Sequence, residues 1–295
     1  MSAADPILGA LTRSGFATLR ALGPERGPAL GASLARRLGP LTKAHRIAME
    51  NIAAAFPDRD AAWHRDVAEE AWDNLGRTAC EYVHMDRIWN LTEARAPGEN
   101  IQVDDATLAG FLDLRDNPRP TLVFAAHLAN WELPAVAAAK HGLKAAVLYR
   151  TPNAKPVAEA ILALRREMMG ELIPAGIMAP TRLAKALDRG AVVGMIVDQR
   201  FGRGPTVNFL GRPAQANPLL ANLGRRHDCE VRGCRAIRLG RSSRFRMELT
   251  APLALPRDAE GLVDVPAATQ AINDVIAGWI REHPGQWLWM HRRWR

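Results

Sequence analysis

Leucines recur at helical spacing near the start of the chain, and arginines lie on the other faces of the same segments. These leucines form two successive sets, and the second set consists of Leu30, Leu34, Leu38 and Leu41. The glycines and prolines within residues 23–28 interrupt a helix, so this pattern predicts two short amphipathic helices. Such an apolar face can lie in the headgroup region of a bilayer or pack in the protein core, and the sequence leaves both open.

The hydrophobic pattern changes near residue 97. Before it, apolar residues at helical spacing predict helices over 43–56 and 61–89. After it, short apolar runs alternate with helical patterns. The runs predict buried strands at 121–125, 145–149, 191–197, 235–239 and 245–249, and the segments between and after them predict helices at 132–141, 156–170, 180–189, 217–227 and 266–283. We therefore predict an N-terminal helical, membrane-associating region (1–95) and an α/β core (96–295).

Composition narrows the possible partners. Of the 295 residues, 48% are hydrophobic and 24% are charged, which is typical of a globular protein. A net charge of +8 favours polyanionic partners, namely nucleic acid, anionic lipid or an acidic carrier protein. Three irregularly spaced cysteines predict neither a disulfide framework nor a zinc finger. No secretory signal and no apolar run of about 18–20 residues is evident, so we expect any membrane contact to be peripheral.

The segment LVFAAHLANWE places His127 after a buried strand and Glu132 at the start of a helix. Reactive groups gather at the carboxyl ends of strands in α/β sheets, so this position suits chemistry. We expect the turn to fold Glu132 back onto the imidazole and so strengthen the other ring nitrogen as a base. A purely structural histidine is the alternative.

Several segments carry a family resemblance. HLANWE at 127–132 resembles the His-x4-acid signature of the lysophospholipid and glycerophosphate acyltransferase superfamily. RIAMENIAAAFPD at 46–58, LYRTPNAKP at 148–156, MIVDQRFGRGPTVNFLGRPA at 195–214 and QWLWMHRRWR at 286–295 are similar, in order, to bacterial lipid A biosynthesis (lauroyl/myristoyl) acyltransferases. The resemblance implies a glycerolphosphate-acyltransferase-like mixed sheet covered by helices.

The resemblance also implies a reaction. His127 would be the general base and Glu132 its charge-relay partner, with acyl carrier protein as donor and neither metal nor other cofactor. The acceptor would be a hydroxyl of a phosphorylated glycolipid, the lipid A precursor, at the cytoplasmic face of the bacterial inner membrane. A phosphatidylinositol mannoside, an ornithine lipid or a lysophospholipid is an alternative acceptor. A catalytically silent membrane scaffold is the alternative from another class.

Four further residues are candidates for substrate binding. Arg150 follows a strand and can hold phosphate in a bidentate fork, or it can pair with a surface carboxylate. Arg165 and Arg166 compete for one family position. Asp198, also at a strand end, can position a basic group or cap a helix.

The C-terminal tail combines Trp287, Trp289 and Trp294 with Arg292, Arg293 and Arg295. Indoles and arginines together are typical of a membrane interface. Stacking on nucleic acid and packing in the protein core are the alternatives. The other basic residues are scattered and no nucleic-acid-binding motif is present, so we do not expect nucleic acid as a partner.

Overall fold

The computed structural model describes residues 4–92, 98–150 and 155–294. Thr151–Ala154 within the LYRTPNAKP segment, the predicted boundary at 95/96 and Arg295 lie outside this range. The helices are α1 (Ala4–Leu38), α2 (Lys43–Ala55), α3 (Ala61–Glu81), α4 (Met85–Ile88), α5 (Asp105–Asp116), α6 (Leu133–Lys140), α7 (Lys155–Met168), α8 (Ala179–Asp188), α9 (Leu219–His227) and α10 (Val265–Glu282). The strands are β1 (Ile101–Val103), β2 (Thr121–Ala125), β3 (Ala145–Tyr149), β4 (Glu171–Pro174), β5 (Val192–Ile196), β6 (Thr206–Phe209), β7 (Arg212–Gln215), β8 (Glu230–Arg238) and β9 (Phe245–Leu249).

Seven strands form one mixed sheet in the order β1-β9-β8-β2-β5-β3-β4. From β8 to β4 all neighbours are parallel, whereas β9 runs antiparallel to β8 and β1 runs parallel to β9. Strands β6 and β7 form a separate hairpin. Helices cover the sheet, so the predicted α/β class with a helix-covered mixed sheet is confirmed.

The two faces of β2 pack differently. Leu122 and Phe124 are fully buried in a core shared with α2, α3, α8, α9 and α10. Val123 and Ala125 face the opposite side, where they line a cavity beneath α5 and α6. Residues of both predicted regions thus contribute to one core.

Helix α1 is broken at Gly23, whose φ of 85° and ψ of 169° are not helical. The break confirms two consecutive helices, although Gly27 and Pro28 lie inside the second one. Small residues set its packing: a Cβ on Gly31 would lie 2.5 Å from the carbonyl oxygen of Gly76, so only glycine allows α1 and α3 to approach this closely.

The leucine face of α1 points away from this contact. Leu30, Leu34 and Leu38 are exposed, as is Leu41 after the helix, at 82%. Of the two interpretations of the stripe, packing in the protein core is therefore wrong for these four residues. Among the described helices, none combines the length and the hydrophobicity needed to cross a bilayer.

The C-terminal tail packs into the core. Trp287, Trp289 and Trp294 are buried, and so is Arg293, which donates to the Gln215 carbonyl and to Asn273 Oδ1. The expectation that these indoles face lipid is wrong, and core packing is what the structure shows. Each indole N–H finds a protein acceptor, which removes the cost of burying it.

Candidate active site

His127 lies on a sharp turn between β2 and α6. Ala129 within this turn adopts a left-handed conformation with φ 47°, which is uncommon for a residue other than glycine. The Ala129 carbonyl accepts hydrogen bonds from Asn74 and Thr78 of α3, and its N–H donates to the Gln286 carbonyl of the tail. Contacts from both sides thus hold the turn in a conformation that it would rarely adopt alone.

The Asp198 carboxylate is the hydrogen-bond partner of the His127 imidazole. Nδ1 of His127 lies 2.7 Å from Asp198 Oδ1, and the His127 backbone N–H donates to Oδ2 at 2.8 Å. Asp198 follows β5, the neighbour of β2, so the parallel sheet brings both residues to the same edge. This geometry places the proton on Nδ1 and leaves Nε2 as the basic nitrogen. Of the two predicted roles of Asp198, positioning a basic group is the one observed.

The surroundings of His127 and Asp198 shift the pKa of each side chain. Burial favours neutral His127, but the charge of Asp198 and the hydrogen bond outweigh burial and raise the pKa of the imidazole above its usual 6.5. Burial also opposes charge on Asp198, yet His127 and the indole N–H of Trp287 hold the pKa of this carboxyl well below its usual range. Asp198 therefore stays ionised and supports positive charge on His127.

The tail completes this arrangement. Trp287 Nε1 donates to Asp198 Oδ2 at 2.7 Å, and the Leu288 N–H donates to the His127 carbonyl at 3.1 Å. Asp198 thus receives three N–H donors from two segments, which fixes its orientation. Sequence analysis missed this role of Trp287.

Glu132 has different partners from those expected. Its carboxylate accepts from Tyr82 Oη at 2.5 Å and forms a two-point ion pair with Arg165, at 2.5 Å and 3.0 Å. The expected hydrogen bond to the imidazole is not formed, because Nδ1 of His127 bonds Asp198 while the Glu132 carboxylate faces Tyr82 and Arg165. Burial and the adjacent Glu132 charge raise the pKa of Tyr82 well above its usual value, so its hydroxyl remains a donor. The catalytic role of Glu132 stays a prediction, and Tyr82 was missed because nothing in its sequence context marked it.

The predicted arginines differ in whether they border the cavity at His127. Arg165 lies in the site beside Glu132, whereas Arg166 is exposed and does not line the cavity. Arg150 is exposed at the cavity and forms no ion pair with another residue of the described chain. Arg200, which was not among the candidates, also borders the cavity and donates to Gln215 Oε1. Of the two arginines that compete for one family position, Arg165 is the one that borders the cavity, and its role there stays a prediction.

A cavity of about 880 Å³ opens at His127 and extends beneath α5 and α6. The sheet contributes its floor, including Ala125, Val147 and Val192, and the helices contribute Phe111, Leu112 and Ala138. The His127 side chain is 18% exposed, so the imidazole is accessible from this space. A cavity of this size with a few convergent polar groups is typical of a small-molecule site.

These features define a class of enzyme. An imidazole that is hydrogen-bonded to an ionised carboxylate and borders a largely apolar cavity at the carboxyl edge of a parallel sheet is compatible with acyl transfer. Residues 10–295 match the sequence model of the family described as bacterial lipid A biosynthesis acyltransferases. The chain belongs to this family and is an acyltransferase, as the sequence resemblance implied. No curated protein matched the chain.

Proposed function

We propose that this acyltransferase moves a fatty acyl group from an acyl carrier protein thioester to a hydroxyl of a lipid A precursor. The observation that carries the proposal is the orientation of His127. Nδ1 is committed to Asp198 at 2.7 Å, and the imidazole borders the apolar cavity. The proposed base thus borders a cavity that suits an acyl chain. Acyl transfer from a thioester requires both a base and a binding site for the chain.

In the proposed reaction His127 Nε2 takes the proton of the acceptor hydroxyl as its oxygen attacks the thioester carbonyl carbon. The resulting imidazolium is stabilised by the Asp198 charge. When the carbon–sulfur bond breaks, the imidazolium returns the proton to the leaving thiolate. Gln199 Nε2 donates to His127 Nε2 at 3.4 Å, and once that nitrogen takes the proton the Gln199 amide is free to donate to the developing oxyanion.

Glu132 assists this reaction through Arg165 and Tyr82. The two-point ion pair and the Tyr82 hydroxyl fix the start of α6 against α7 and the turn that follows α3. Arg165 itself lines the cavity, so Glu132 holds a guanidinium beside the substrate. This arrangement gives the acid of the His-x4-Glu motif a positioning role and gives Asp198 the direct contact with the base.

The positive charges of the protein suit an anionic acceptor and an anionic donor. Arg150 at the cavity is available for a phosphate of the glycolipid acceptor, and a guanidinium binds phosphate in a fork. The net charge of +8 favours docking of an acidic carrier protein, which salt should weaken. Acceptor and donor would thus both be guided by arginines.

We also propose that the protein acts at the cytoplasmic face of the inner membrane as a peripheral or monotopic protein. The support is the exposed leucine face formed by Leu30, Leu34, Leu38 and Leu41, which is flanked by exposed Arg37 and Lys43. An apolar helix face with cations beside it can bury itself at the headgroup boundary of anionic lipid.

The test is transfer from a mixed-chain pool of acyl carrier protein thioesters to purified tetraacylated lipid A precursor, with His127→Ala as the matched variant. Product that forms with the wild type and is lost in His127→Ala supports the proposal. Absence of product from folded wild type overturns the lipid A acceptor. The alternative acceptors are then tested, namely phosphatidylinositol mannoside, ornithine lipid and lysophospholipid. If none of them is acylated, the catalytically silent membrane scaffold is the alternative that stands.

A further inference from the structure

The middle residue of β5 is a glycine, although its neighbours on that strand are large. Gly194 lies in the strand between two larger residues on each side, namely Val192, Val193, Met195 and Ile196. The register pairs Gly194 with Val123 of β2 and with Val147 of β3, so these three residues form one row across the sheet. All three border the cavity. The row therefore has a gap at its centre.

No conformational demand explains this glycine. Gly194 is absent from the positive-φ glycines of the described chain, so any residue can adopt its backbone conformation. A Cβ built on it would meet only the Cγ2 of Val147, at an ordinary 3.8 Å. Glycine inside a strand weakens the strand and often marks a place where a ligand approaches closely. What glycine provides at this position is space.

The gap lies on the path from the base into the cavity. The row of Ala125 and Ile196 is the one nearer His127, and the Gly194 row is the next. Val123 lies two strand residues before Ala125, and His127 lies two residues further on in the turn, so the depth from His127 to this row is at most about 13 Å. Since a carbon–carbon bond of about 1.5 Å advances an extended chain by about 1.25 Å, this depth corresponds to at most about ten carbons.

We propose that Gly194 is a specificity-determining residue, whose missing side chain lets the donor acyl chain pass the Val123–Gly194–Val147 row and so sets the length of chain that is transferred. This inference rests on the proposed function. The donor chain is the occupant because its carbonyl carbon must reach His127, and the remaining carbons then enter the apolar space that opens there. Each methylene that enters gains hydrophobic free energy.

The test is competition among acyl carrier protein donors whose chains run from shorter to longer than about ten carbons, with one acceptor. Each excluded methylene lowers the relative rate about fourfold. Gly194→Ala, which excludes at least one methylene, is therefore expected to raise the ratio of shorter-chain to longer-chain product at least about fourfold, and the bulkier Gly194→Val by a larger factor. Gly278→Ala in α10, where a Cβ meets no atom within 4 Å, is the control and is expected to keep the wild-type ratio.

Folding is checked separately by thermal unfolding. Alanine replaces glycine in a strand without steric conflict here, so Gly194→Ala is expected to melt at or above the wild-type temperature. An unchanged ratio in folded Gly194→Ala and Gly194→Val overturns the inference while leaving the acyl transfer intact. Absence of product from the wild type would instead contradict the proposed function, so the two failures are distinguishable.

Discussion

Replacing Asp198 by asparagine is expected to abolish most activity while keeping the fold. Oδ2 of Asp198 accepts two N–H groups, from the His127 backbone and from Trp287, so the amide oxygen of asparagine must occupy that position. The amide NH2 then faces His127 Nδ1 and donates to it. The imidazole proton is forced onto Nε2, and the base loses its lone pair at the atom that faces the substrate.

The magnitude follows from the charge as well as the tautomer. Two unit charges about 4 Å apart, at an effective dielectric constant of about 20, interact by about 4 kcal/mol. Loss of that stabilisation from the imidazolium in the transition state lowers the rate about 10³-fold. The reversed tautomer adds to this effect, so we expect a fall in kcat of about 10³–10⁴-fold.

The assay is steady-state transfer from a carrier thioester across a pH series. In the wild type, kcat/KM should rise with pH as His127 loses its proton, with a midpoint above the usual 6.5 because Asp198 raises the pKa of the imidazole. In Asp198→Asn that contribution is lost, the pKa falls, and the midpoint of the residual activity moves to lower pH. Near-wild-type kcat with an unmoved midpoint would refute the assignment of Asp198 as the partner of the base.

Three further outcomes are expected. Glu132→Gln leaves the Arg165 guanidinium unpaired in a nearly buried site and should lower the free energy of unfolding by about 3–5 kcal/mol in urea titrations; unaltered stability would contradict the buried pair. Trp287→Phe removes one hydrogen bond to Asp198 and should lower kcat about 10–100-fold with little change in KM, since Trp287 acts through Asp198; an effect confined to KM would rule this out. Leu38→Glu should weaken cosedimentation with anionic vesicles without lowering the melting temperature, because Leu38 is 57% exposed; equal binding by wild type and variant would exclude this face as the membrane contact.

The central strands were predictable because burial on both faces gives continuous apolar runs. β2 and β3 begin and end where these runs placed them, and β9 also has its predicted bounds although Arg246 and Glu248 alternate with its apolar residues. β1 has only three residues and β4 lies at the sheet edge, so neither carries such a run. The hairpin of β6 and β7 was also missed, since Pro213 interrupts the alternation of its second strand. Helix α5 was not predicted either.

The site was only partly predictable for a related reason. The strand-end position and the family motif both pointed to His127. The carboxylate that bonds it is 71 positions away, and no periodic pattern links residues at that separation. Proximity along the chain favoured Glu132, but Arg165 and Tyr82 engage it instead. Sheet topology, which decides which strand ends are neighbours, was the missing information.

The connection of the tail to the histidine turn has a consequence for folding kinetics. The hydrogen bond between Trp287 and Asp198 spans 89 positions, and the bond from Asn51 to the Trp289 carbonyl spans 238. Contacts between such distant positions form slowly, because chain entropy must be lost before they are made. In refolding experiments, helical signal should therefore return before activity, and regain of turnover would report the final closure of the molecule rather than the formation of its secondary structure.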